Sequence, residues 1–351
     1  MFSINFIIDN RYIIYNNIIG EGISKIYEGK DIKFNKKVAI KQIFYNKSNL
    51  KFIEQEINIL KRTNHVNIIK LYNYYYYSEY AYLVFEFCEE GDLYNYKFNR
   101  SEENIKKFYM QLVKGLIYLK NMNIYHHDIK PHNILIKDKI LKIADFGFAN
   151  NFNMICGSPL YMAPELFNFN KFSRKSDIWS VGIILYELLN NILPYNFKKC
   201  QTIKDIVKSF TNELLFTKNI SLEAQDLLQK ILKVNFKERI DWDEMLIHPW
   251  IEDVLSEDVL SEDVVSEDVV SKEHSNIETK NNNILAPSKE IDATKNSFSI
   301  DGYILNSPIY NNYFNKCIKP HSSVPIPIFK SSSIKNKKNK GKFKYTFLTS
   351  I

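Results

Sequence analysis

The stretch HHDIKPHNILI, His126–Ile136, followed by LKIADFG, Leu141–Gly147, carries the densest chemistry in the chain. It sets two carboxylates (Asp128, Asp145), one lysine (Lys130) and one amide (Asn133) close together. A few hard oxygen ligands are what magnesium takes when substrate phosphates fill its other positions, and Asn133 and Asp145 offer them. Asp128 suits the acceptance of a proton from a hydroxyl, and Lys130 the neutralisation of a phosphoryl group in transit.

Outward from this stretch the chain divides. From about Arg11 to Phe87, short β-branched and aromatic runs alternate with turns, interrupted by one helix, FIEQEINILKRT, with Phe52, Ile53, Glu56, Ile57 and Leu60 at helical spacing. From Asn104 onward, IKKFYMQLVKGLIYLKNM and SDIWSVGIILYELL read as long helices with apolar stripes. A strand-rich front and a helix-rich back predict an α+β architecture in two lobes, a small one with one key helix and a larger helical one. After His248-Pro249-Trp250 a five-residue unit repeats, EDVLSEDVLSEDVVSEDVVSKE. Five residues turn a helix by about 500°, and an odd period flips faces in a strand, so neither gathers the apolar pairs on one side. The expected organisation is a short N-terminal extension (1–10), a folded domain (11–251), an acidic, disordered linker (252–273) and a low-complexity tail rich in Asn, Ser and Lys (274–351).

Composition narrows the class. The chain has 351 residues, 45% of them hydrophobic and 14% aromatic, which permits a substantial core. A formal net charge of +7, with lysines crowded near the C-terminus, reads as a solvated tail and gives no clear nucleic-acid partner. Cys88, Cys156, Cys200 and Cys317 form no CxxC pair, which argues against a zinc site or a disulfide framework and fits a reducing compartment. Asp9 and Arg11 interrupt the N-terminus before a signal h-region forms, and the apolar run Val181–Leu189 is half a membrane span. The expectation is an intracellular, cytoplasmic protein with no membrane partner.

HHDIKPHNILI with LKIADFG resembles the catalytic loop and DFG motif of protein kinases, and further motifs of that family follow in order. The resemblance runs from about Tyr12 to Ile251 and implies ATP and Mg²⁺ as cofactors. It makes Asp128 and Lys130 catalytic, and Asn133 and Asp145 metal ligands. VAIK would place Lys41 on the α- and β-phosphates, with Glu56 as its helix partner. The ATP site would be completed by Ile19, Gly20, Gly22 and Ile26 at the glycine-rich loop, and by Glu86, Cys88 and Asp92 at and beyond a hinge guarded by Phe85. His126 would support the catalytic loop. The APE motif, Ala163–Glu165, would pair through Glu165 with Arg239, and Asp177 is the helix aspartate of SDIWSVG. DIKPHN and CGSPLYMAPE resemble the serine/threonine class, in which Ser158 contacts the catalytic loop. DFGFA with CGSPLYMAPE is similar to the autophagy-initiating kinases, with calcium-regulated kinases as the next neighbours.

Three features depart from the family pattern. The glycine-rich loop is one residue short, with Ser24 where a third glycine usually lies. His127 stands in place of the arginine that meets an activation-loop phosphate as a permanent cation. The segment DFGFANNFNMICG, Asp145–Gly157, contains no Ser, Thr or Tyr. The last two agree, and together they predict activity without activation-loop phosphorylation, the loop being ordered by packing of Phe148, Phe152, Met154 and Ile155 or by a partner. Phe148 after the DFG motif implies serine over threonine as acceptor, and His132 argues against a strong preference for basic substrates. The substrate expected is a protein hydroxyl. The competing reading is a pseudokinase scaffold, supported by the irregular glycine loop and opposed by intact Lys41, Glu56, Asp128, Lys130, Asn133 and Asp145.

Overall fold

The computed structural model describes residues 4–251, apart from 22–23, 48, 151–157, 168–172, 198–199, 201, 211–212 and 218. Gly22, most of the activation loop, the acidic repeat and the tail lie outside the described residues.

The front half forms a six-stranded antiparallel sheet with strand order β1-β2-β3-β4-β6-β5. Its strands are β1 (Ile4–Ile8), β2 (Tyr12–Glu21), β3 (Lys25–Asp31), β4 (Lys36–Phe44), β5 (Leu71–Tyr77) and β6 (Tyr80–Glu86). The helix α1 (Leu50–Arg62) follows β4 and buries Ile53, Glu56, Ile57, Ile59 and Leu60, the stripe its spacing predicts. Lys61 and Arg62 in its last turn complement the negative end of the helix dipole.

The sheet is apolar on both faces. Ile43, Leu83 and Phe85 join Ile57 and Leu60 of α1 in a core that continues into the helical half. Val38, Ile40, Tyr82 and Val84 point the other way and pack with Ile8, Tyr12, Ile14 and Tyr27. Within the stretch 1–10, set apart as an extension by the sequence, Ile4–Ile8 therefore contributes to the sheet. Ile4–Ile8 pairs with β2, Phe6 meets Tyr82 edge-on at 5.4 Å, and the Tyr75 hydroxyl donates to Asp9 at 3.0 Å. The local pattern INFII mixes polar and apolar residues too briefly to show this, since its partner surface is made by distant strands.

The back half is built on α2 (Glu102–Asn121) and α3 (Ser176–Asn190), with α4 (Ile203–Ser209), α5 (Leu222–Ile231) and α6 (Trp242–Leu246) around them. Ser101 caps α2, its hydroxyl accepting from the Asn104 N–H at 3.3 Å. The hairpin β7 (Ile134–Lys137) and β8 (Ile140–Ile143) lies on α2. A Cβ at Gly115 would sit 2.8 Å from Ile143 Cδ1 and 3.2 Å from Asn67 Cβ, so a larger residue would have to displace the Ile143 side chain. α2 thereby fixes the hairpin whose two ends carry Asn133 and Asp145. No helix among the described residues is long and apolar enough to cross a membrane.

Candidate active site

Strand register brings the first group together. Gly20 of β2 lies opposite Ile26 of β3, Ile26 opposite Lys41 of β4, and Lys41 opposite Leu83 of β6. The Lys41 ammonium meets Glu56 Oε1 at 2.8 Å, Glu56 Oε2 at 3.1 Å and Asp145 Oδ1 at 2.9 Å. One cation thus joins a strand, a helix and the segment after β8. Glu56 is sealed, its side chain 3% exposed, while that of Asp145 is 24% exposed and marks the open side. Burial pushes the Lys41 pKa down, yet the two carboxylates outweigh it and hold the ammonium above its usual range. Burial also raises the Glu56 carboxyl, with Asp145 adding to the effect against the opposing pull of Lys41. For Asp145, burial is outweighed by Lys41, with help from Lys130, which holds the carboxyl down at about 2.

The second group is the loop Tyr125–Asn133. Asp177, at the start of α3, accepts the backbone N–H groups of His126 at 2.7 Å and His127 at 2.9 Å. That grip holds His127 at φ 65°, left-handed backbone that a non-glycine residue adopts only with such support. The His126 ring faces the Ala144 carbonyl through Nε2 at 3.0 Å and the Asp128 N–H through Nδ1 at 3.3 Å. A carbonyl only accepts and an N–H only donates, so Nε2 is the donor of this ring and Nδ1 the acceptor. The ring packs at 4.9 Å against Phe146, which is fully buried.

Asp128 has both oxygens engaged. Oδ2 takes Lys130 Nζ at 3.0 Å and Asn133 Nδ2 at 2.9 Å, while Oδ1 takes the Ser158 N–H at 2.9 Å and its hydroxyl at 3.3 Å. Asn133 Nδ2 also donates to the Asp128 carbonyl at 2.8 Å. The Asn133 amide nitrogen is thus spent inside the loop, which orients the side chain and leaves its oxygen as the end able to take a cation. No group of three or more His, Cys, Asp or Glu among the described residues could hold a metal. Asn133 and Asp145 fit a cation that draws its remaining ligands from phosphates and water.

At the junction of the halves, Phe85 is nearly buried and Cys88 half-buried, its thiol raised to about 12 by burial and by Glu86. The Glu86 carboxylate is committed elsewhere: it accepts the Lys70 N–H at 2.9 Å and pairs with Lys137 at 3.0 Å and Lys142 at 3.3 Å. Any contact of Glu86 with a nucleotide therefore falls to its backbone. Asp92 Oδ1 accepts the Asn95 N–H at 2.8 Å and its side-chain amide at 2.9 Å, an Asx turn at the exit of the hinge. Ile19 is 45% exposed on the strand that approaches the short loop. His132 stacks on Tyr94 at 4.3 Å beside the catalytic loop. The predicted Glu165–Arg239 pair forms with two contacts of 2.8 Å. The sequence reading did not pick out Gln55 or Asn150, whose amides tie the segment after Asp145 to α1 and to the residues before His126. A lone Gln in a helix and an Asn in an Asn-rich run carry no local signal.

The chain matches the protein kinase domain over residues 13–251. Serine/threonine-protein kinase ATG1c of Arabidopsis thaliana is 38% identical over 262 residues, covering 69% of this chain and 36% of that relative. Putative serine/threonine-protein kinase R517/R518 of Acanthamoeba polyphaga mimivirus is 36% identical over 289 residues, covering 70% of this chain and 64% of its own length. Calcium-dependent protein kinase 5 of Plasmodium berghei is 37% identical over 253 residues, 67% of this chain and 43% of that protein. The match spans little more than a third of the plant relatives' length. The similarity read from DFGFA and CGSPLYMAPE thus falls among relatives that include ATG1 kinases, with a calcium-dependent kinase beside them.

Proposed function

The chain belongs to the protein kinase family, and on that premise we propose that it is an active serine/threonine kinase whose catalytic cleft assembles without activation-loop phosphorylation. The observation that carries this reading is Lys41 bonded at once to Glu56 and Asp145. That trio requires α1 to be swung in and the DFG segment to face the cleft, and it supports catalysis over a scaffold role.

When bound, Mg·ATP supplies the phosphoryl group and the metal neutralises its charge. Lys41 would hold the phosphates, and Gly20, Ile19 and Ile26 would lie on their side of the cleft. Cys88, Asp92 and the Glu86 backbone would border the adenosine, while Asn133 and Asp145 would offer the metal its protein ligands. Asp128 takes the proton of the acceptor hydroxyl on its carboxylate, and Lys130, 3.0 Å from Asp128, stands where negative charge on the phosphoryl needs a cation. Ser158 and Asn133 fix the Asp128 plane, so little reorganisation accompanies transfer.

Activity without loop phosphate rests on His127 in place of the arginine and on the absence of a hydroxyl residue between Asp145 and Gly157. Of the residues expected to order the loop by packing, Phe148 is half-buried, and Phe152, Met154 and Ile155 lie outside the described residues. Serine over threonine as acceptor is part of the same proposal, on the strength of Phe148.

Full-length protein made in a host without protein kinases, with and without phosphatase, tests the reading on Ser and Thr peptide pairs. Wild type is expected to be active in both states and faster on Ser, and Asp128→Asn to fall by about 10²–10⁴-fold. Near-normal transfer by Asp128→Asn would sink the catalytic assignment. Loss of wild-type rate on phosphatase treatment would sink phosphate independence.

A further inference from the structure

The segment that follows Asp145 is held from two sides by neutral amides. On one side Gln55 of α1, next to Glu56, donates through Nε2 to the Ala149 carbonyl at 2.5 Å. On the other, Asn150 docks on the segment after α2 that leads into the catalytic loop. The Asn150 backbone N–H donates to the Tyr125 carbonyl at 2.8 Å, its Oδ1 accepts the Tyr125 N–H at 2.8 Å, and its Nδ2 donates to the Asn123 carbonyl at 3.2 Å.

Asparagine in left-handed backbone, here φ 54°, ordinarily bonds to its own turn. Asn150 instead reaches partners 25 and 27 residues away, and its three bonds copy the donor and acceptor pattern of a strand neighbour. Tyr125 is followed directly by His126 and His127, whose N–H groups Asp177 holds, and then by Asp128. A continuous path therefore runs from α1 through Ala149 and Asn150 to the loop that carries the base. The same path flanks the Lys41–Glu56–Asp145 trio, since Gln55 adjoins Glu56 and Ala149 lies four residues beyond Asp145.

We propose that Gln55 and Asn150 are positioning residues, an amide clamp that orders the DFG segment and the catalytic loop in place of a loop phosphate. This deepens the phosphate-independent reading above and rests on it. Neither amide titrates or accepts phosphate, and neither contact is an ion pair, so the clamp is insensitive to phosphatase and only weakly sensitive to salt.

The test uses the full chain, treated with phosphatase, and the variants Asn150→Gly, Asn150→Asp and Gln55→Ala. Glycine keeps the left-handed backbone and deletes only the amide. Asn150→Gly is expected to lower kcat on an outside peptide by about 10-fold, because misplacement of the loop costs the chemical step. KM for ATP should stay within about twofold, and the melting temperature within about 3 °C, as expected for the loss of a few hydrogen bonds from a domain of this size. Asn150→Asp keeps the acceptor for the Tyr125 N–H and should recover part of the rate. Gln55→Ala, at a half-buried helix position, should show the same loss in kcat and serves if an Asn150 variant folds poorly. A phosphatase-resistant wild type with Asn150→Gly and Gln55→Ala both within twofold of its kcat overturns the clamp and leaves phosphate independence standing. A wild type that itself loses its rate to phosphatase overturns both.

Discussion

The Arg239–Glu165 and Lys41–Glu56–Asp145 ion pairs are built differently. Arg239 and Glu165 meet through two parallel contacts of 2.8 Å, with side chains 0% and 3% exposed. The remaining guanidinium donors reach the carbonyls of Lys175 at 2.8 Å and Lys233 at 3.1 and 3.2 Å, and the group lies over Trp179 at 5.1 Å. Lys41 is a point charge shared by two carboxylates from different elements, one of them open to solvent. The first arrangement satisfies a planar cation completely and is suited to holding helices. The second leaves a net negative charge beside an open edge, which a metal ion can offset.

The contrast is broken most directly at Arg239. Arg239→Leu leaves Glu165 buried without a counter-charge and should cost about 3–5 kcal/mol of stability by denaturant unfolding. A loss under about 1 kcal/mol would mean that the pair does not hold the helical half together.

Lys41→Met should divide the two roles. Phosphotransfer to peptide is expected to drop by at least about 10²–10³-fold, with less destabilisation than Arg239→Leu, because Asp145 reaches water and Glu56 can take up a proton. Unfolding as severe as that of the Arg239 variant would erase the distinction drawn between the pairs.

A smaller effect is expected at Glu56→Gln, which keeps a hydrogen-bond acceptor for Lys41 but removes one charge. Activity should fall about 10-fold through loss of lysine positioning, and the melting temperature should hold or rise, since burial works against the charged carboxylate. A clear drop in melting temperature at pH 7 would show that the charge itself stabilises the fold.

Glu102 sharpens the comparison with a carboxylate held largely by neutral donors. Burial raises its pKa, but the Ser221 hydroxyl and N–H and the Trp250 indole at 2.7 Å outweigh this and hold it below the usual 4.5. A depressed carboxylate stabilises fully above its ordinary value, and that contribution disappears as pH falls through the lower folded value. Melting temperatures measured from pH 6 downward, an interval set by that shift, should fall more steeply below pH 4.5 for wild type than for Glu102→Gln. Parallel curves would count against the assignment.

The helix around Glu56 was legible because its apolar spacing and its burial coincide, and Asp128, Asn133 and Asp145 because their residue types and order carry the chemistry. The edge strand Ile4–Ile8 was not, since the apolar face it covers comes from β2, β3, β4 and β6. The Glu86 carboxylate is a similar case: its sequence neighbours mark the hinge, whereas Lys137 and Lys142, which occupy it, come from the β7–β8 hairpin.

By itself the sequence determined which chemical groups are present and in what order, and with them the family, the two-lobed α+β class and the identity of the candidate site residues. It also determined that His127 cannot be a permanent cation and that residues 145–157 offer no hydroxyl. Only the tertiary structure decided which of these groups meet. That Lys41 reaches Glu56 and Asp145 together, that Asp177 grips the backbone before Asp128, and that Asn150 docks on Tyr125 are matters of separation across tens of residues. Local pattern cannot encode such contacts, because each depends on the packing of whole elements against a shared core.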